Sequence, residues 1–94
     1  MPAYAIVKVD VKDAETYGKY AALAGPAVAK YGGEFLARGG AHDTLEGRDW
    51  PRNVIIRFAD METAKTFYHV PEYQEALAFA FPSSEREYVL VEGV

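Results

Sequence analysis

Four short runs rich in β-branched and aromatic residues alternate with helical periodicities in the order βαββαβ, and this order predicts an α+β domain of the ferredoxin-like, split βαβ kind. Two further observations support that class. The chain has 94 residues, half of them apolar and 26% charged, which is the composition of one packed core. No linker, low-complexity stretch or repeat divides it, so residues 1–94 are expected to form a single domain.

The first run, Ala3 to Val9, is apolar at nearly every position and reads as a central strand covered on both faces. Asp13 offers an N-cap and Glu15 an acidic first turn. Tyr17, Tyr20, Leu23, Ala24, Ala27, Val28 and Tyr31 then follow at helical spacing. Gly25-Pro26 predicts a kink or a two-piece helix, because an interior proline removes a backbone donor, and Gly32-Gly33 supplies the stop, with positive φ expected at one of the two. Glu34 to Arg38 and Asn53 to Phe58 read as the second and third strands, separated by a polar loop over 41–52. Asp60 caps a helix over Met61 to Tyr68, Pro71 opens another to about Phe81, and Glu87 to Glu92 is the last strand.

Helices on one side of an antiparallel sheet leave its other face bare. The residues expected there, Ala5 or Ile6, Val54 or Ile55 and Val89 or Leu90, are too apolar for water. A second copy of the chain is the economical cover, which predicts a homodimer built as a dimeric α/β barrel. A small domain gains most from such pairing, since it buries a modest fraction of its unfolded surface alone.

Composition excludes several functions. There is no cysteine, hence no disulfide, thiolate metal site or cysteine nucleophile. A formal charge of −4 disfavours nucleic acid as a partner. No apolar run approaches the roughly 18 residues of a membrane span, so no membrane partner is expected and a cytoplasmic location is the default expectation. Phosphate-binding GxxxxGK[ST], GxGxxG and GxSxG patterns are missing, and no cofactor is expected.

The segments Lys30 to Gly40 (KYGGEFLARGG), Leu45-Glu46-Gly47 and Phe67 to Gln74 (FYHVPEYQ), with the closing Val91-Glu92-Gly93, resemble the DUF1330 family of small bacterial proteins nearly end to end. The resemblance implies the dimeric α/β barrel superfamily, whose relatives include cofactor-independent monooxygenases, haem-handling enzymes and small-molecule isomerases. It implies no particular reaction and no catalytic residues. Family members often carry a serine where this chain has Val70, so the helix at Pro71 starts without that cap.

Candidate site residues come from residue chemistry. With the strands in the order 4-1-3-2, Lys8, Arg57 and Arg38 lie on neighbouring strands, and in one register they form an anion site suited to a carboxylate. The plainer reading pairs each arginine with Glu34, Glu87 or Glu92. Either way, Arg38 and Arg57 are expected to share an anionic partner. His42 is a candidate general base, and Tyr68 a second catalytic candidate. His42, Asp43 and Glu46 read as a solvated loop, and no metal site is assigned. His69 suits a helix C-terminus. Tyr17 and Tyr20 fall on one helix face, where most tyrosines are packing residues and one or two hydroxyls could orient an aromatic ligand. Trp50, in a loop between Arg48 and Arg52, fits a pocket lid or an interface anchor. The expectation is a metal-free enzyme acting on a small aromatic or carboxylated metabolite, with Arg38, Trp50 and Arg57 as ligand-binding residues. The alternative is a noncatalytic small-molecule-binding or regulatory module.

Overall fold

The computed structural model describes all 94 residues. The chain runs β1 (Ala3–Val11), α1 (Ala14–Lys30), β2 (Glu34–Arg38), β3 (Arg52–Phe58), α2 (Met61–His69), α3 (Pro71–Ser83) and β4 (Ser84–Glu92). The four strands form one antiparallel sheet in the order β2-β3-β1-β4, as the split βαβ order requires. No helix is long and apolar enough to cross a membrane.

Period-two alternation divides every long strand between two environments. Ala3, Ala5, Val7 and Val9 of β1, with Val54, Ile56 and Phe58 of β3, are buried beneath the helices. Phe67 of α2 and Tyr73, Ala76, Leu77 and Ala80 of α3 close the same core, and the Phe67 ring lies 5.2 Å from Phe58 and 4.7 Å from Tyr73. The opposite face is divided. Cross-strand rows Ile55–Ile6–Val89 and Arg57–Tyr4–Val91 make it largely apolar at one end, with Val89 55% and Val91 44% exposed. At the other end lie Lys8, paired with Asn53 and Glu87, and Asp10, opposite Glu85.

Sequence signals at the element ends act as anticipated. Asp13 Oδ1 accepts from the Thr16 backbone N–H at 3.2 Å, and Asp60 Oδ1 accepts from that of Thr63 at 2.7 Å. Gly32 has φ 78°, the left-handed conformation expected just after α1. Two expectations need correction. The helix α1 is a single element through Gly25-Pro26: Ala22 and Pro26 both lie on its exposed side, so water can satisfy the carbonyl that loses its donor. The strand β4 begins at Ser84, directly after α3, because Val11, Asp10 and Val9 extend its ladder back to Ser84, Glu85 and Arg86.

Candidate functional site

The best-formed concavity lies between α1 and the helix-facing side of the sheet. Val7, Ala21, Ala24, Val28, Val54 and Ile56 form its apolar walls, Tyr17, Tyr20 and Phe35 its aromatic ones, and Arg38 and Arg52 supply its charge. Its interior space is about 30 Å³, enough for a water molecule. One side of the concavity is formed by Arg38, an exposed residue of the short edge strand β2 whose guanidinium lies 4.1 Å from the centre of the Phe35 ring.

Register explains why the arginines gather here. The ladder between β2 and β3 pairs Phe35 with Ile56 and Arg38 with Val54, and an irregularity between Phe35 and Ala37 absorbs the extra residue. Phe35 and Arg38 therefore share the helix-facing side although they stand three apart in sequence. Arg52 and Arg86 are both cross-strand partners of Val9, one from β3 and the other from β4. Strands are spaced by about 4.8 Å, so these two arginines are anchored about 10 Å apart on the same face. None of Arg38, Arg52 and Arg86 makes an ion pair, and the Nε groups of Arg52 and Arg86 are buried without an acceptor.

Tyrosine hydroxyls occupy the places where carboxylates would otherwise be expected. The Arg86 guanidinium packs 4.6 Å from the centre of the Tyr20 ring and donates through Nη2 to the hydroxyls of Tyr20 at 3.1 Å and Tyr73 at 3.3 Å. Burial raises the Tyr17 hydroxyl above its ordinary pKa, with Tyr20 adding to the rise and Arg86 and Arg52 opposing it. Tyr73 and Tyr88 are likewise pushed up by burial first. These phenols stay protonated near neutrality, so they offer O–H donors rather than bases. Close approach also shapes the site: Gly39, at φ 72°, lies so near the Arg52 guanidinium that a side chain there would collide with it.

The residues singled out from sequence do not all meet at this cleft. Arg57, opposite Tyr4, lies on the other side of the sheet from Arg38, which corrects the expectation that the two share an anionic partner. The irregularity in β2 accounts for the separation. Lys8 lies on that far side too, and its ammonium donates to Asn53 Oδ1 at 3.3 Å. Trp50 is buried beneath Arg48, whose guanidinium stacks 3.8 Å from the ring and bridges Asp10 and Glu85. It fastens the segment preceding β3 and does not line the cleft. His42 pairs with Asp49 at 3.3 Å on the exposed loop, where Asp49 also accepts from Thr44. No three acidic or histidine side chains converge there as metal ligands would. Tyr68, half-buried, stacks on Tyr88 and Tyr73 and faces a shallow groove with Lys65 and His69. Arg52 and Arg86 were missed, although their alternation with Val54-Ile56-Phe58 and Tyr88-Leu90 placed each on a core-facing side.

An antiparallel four-stranded sheet with all its helices on one face and a cleft beneath α1 defines a ferredoxin-like α+β protein. The chain belongs to the DUF1330 family, described as a domain of unknown function, which it matches over residues 2–94. Among solved structures, a protein of unknown function from Rhodopseudomonas palustris is 18% identical, with 99% of this chain and 82% of that chain covered and a TM-score of 0.80. A dimeric ferredoxin-like protein of unknown function from Jannaschia sp. is 16% identical, covering 99% of this chain and all of that chain (100%), with a TM-score of 0.79. SnoaB, a cofactor-independent oxygenase from Streptomyces nogalater, is 12% identical over 99% of this chain and 93% of that chain, with a TM-score of 0.59. At these identities the likeness shows the fold. No curated protein matches the chain.

Proposed function

We propose that the chain binds a small aromatic or carboxylated metabolite in the cleft between α1 and the sheet, as a homodimer paired through the open sheet faces. One observation carries the binding reading: Arg38 and Arg52 line an otherwise apolar cleft and have no protein carboxylate to neutralise them. The partly buried guanidinium of Arg52 calls for a counter-charge, and a planar carboxylate matches the forks of Arg52 and Arg38. The aromatic walls suit a flat apolar body attached to that carboxylate.

The dimer reading rests on the exposed Val89 and Val91 beside half-buried Tyr4, Ile6 and Ile55, and on the dimeric state of the Jannaschia neighbour. Sedimentation at micromolar concentration should give twice the chain mass, and a monomer would remove the barrel. Catalysis on the bound ligand is a second reading, favoured by the fold shared with the oxygenase SnoaB. Thermal shift with benzoate and with neutral benzamide tests the binding claim. Benzoate should stabilise the protein, benzamide should not, and R38M should abolish the difference. Equal shifts from the two compounds would defeat it. Mass spectrometry of small acids recovered after incubation then separates an enzyme, which alters them, from a binder, which returns them unchanged.

A further inference from the structure

The hydroxyls beneath α1 form a chain whose direction can be worked out. Tyr73 is buried, and its hydroxyl oxygen accepts from Arg86 and lies 2.9 Å from that of Tyr20. It has no other partner that could accept its proton, and a buried hydroxyl left without an acceptor is costly, so Tyr73 donates to Tyr20. Tyr20 oxygen then accepts from both Tyr73 and Arg86, which fills its two lone pairs. The proton of Tyr20 remains, on a residue that lines the cleft, with no acceptor in the protein. A cation and a second hydroxyl both polarise that O–H, which strengthens it as a donor.

Counting acceptors says what it donates to. A carboxylate presents about four lone-pair positions, and two guanidinium forks occupy all of them. With Arg38 and Arg52 on the carboxylate, the Tyr20 proton needs a second oxygen. We propose, resting on the binding reading above, that the ligand is a planar aromatic acid carrying a further hydroxyl or oxo oxygen, that Tyr20 recognises this oxygen, and that Arg86 and Tyr73 are positioning residues which hold the Tyr20 hydroxyl in its donor role. The site thereby distinguishes an oxygenated acid from its unsubstituted parent, which the arginines alone do not.

Calorimetric titration of benzoate and the three hydroxybenzoate isomers into the intact protein tests this. In the wild type one isomer should bind about three- to tenfold more tightly than benzoate, the gain expected of one net hydrogen bond. Y20F should erase that gain, so that the four acids bind alike, and R86M should do the same. Y20F keeps the ring and its packing, so it carries the test if R86M fails to fold. Equal affinity of all four acids for the wild type, or an isomer preference that survives Y20F, overturns the assignment of Tyr20 and leaves the binding reading standing. Failure of every acid to bind overturns the binding reading and this inference with it.

Discussion

Replacing Arg52 with methionine separates a structural arginine from one kept for a ligand. Arg52 and Arg86 flank Val9 on the same side of the sheet, and neither has a carboxylate partner. Two unit charges about 10 Å apart at an effective dielectric of about 20 repel by about 2 kcal/mol. Both residues are partly exposed, so solvent screening reduces this to about 1 kcal/mol. Methionine keeps most of the apolar stem and removes a buried Nε that lacks an acceptor, a group whose burial costs about 1–3 kcal/mol. Lost contact with Tyr17 offsets about 1 kcal/mol of the gain. The free protein should become more stable by about 1–3 kcal/mol, which raises Tm by about 4–8 °C per kcal/mol for a domain of this size. Stabilisation by benzoate should disappear in the same variant. Scanning calorimetry of R52M at one fixed protein concentration, with and without benzoate, reads both effects. A Tm several degrees below wild type would show instead that Arg52 holds the fold together.

Three other outcomes follow from particular contacts. Gly39→Ala forces a Cβ into left-handed geometry at about 1 kcal/mol and pushes against Arg52, so in urea unfolding it should cost less in an R52M background than in wild type; equal costs would deny the contact. Phe67→Ala empties a fully buried position between Phe58 and Tyr73 and should lower stability by about 3–5 kcal/mol by the same method. Glu72 is held at about 2, below its usual 4.5, by Lys30 first, then by its own backbone N–H and by Tyr31. The unfolded chain takes up that proton first, so the contribution of Glu72 is present above pH 4.5 and lost as pH falls towards 2. E72Q should flatten the urea midpoint across that window relative to wild type, and parallel profiles would contradict the assignment.

Most of the fold was legible because its signals are local. Asp13 and Asp60 as caps, Gly32 as a stop and Pro71 at a helix start are each specified by neighbouring backbone groups. Strand order followed from the order of elements. The site was only partly legible, because it depends on register. Period two alone puts Leu36 and Arg38 on one face and Arg57 with Ile55, but the irregularity between Phe35 and Ala37 moves Arg38 onto the face of Phe35. Arg52 and Arg86 become neighbours through Val9, a juxtaposition of three strands that no single segment encodes. Trp50 shows the same limit: its flanking charges were visible, but the bridge from Arg48 to Asp10 and Glu85 spans 37 or more residues of sequence.

The central claim is the location of the anion, and a crystal structure of the intact protein soaked with 4-bromobenzoate tests it most directly. Anomalous scattering fixes the bromine independently of the surrounding atoms. The bromine should lie among Tyr17, Tyr20 and Val28, with the carboxylate hydrogen-bonded to Arg38 and Arg52 and the Arg38 side chain displaced from the Phe35 ring. Bromobenzoate bound on the far side of the sheet at Arg57 and Lys8, with the α1 cleft unchanged, would contradict it.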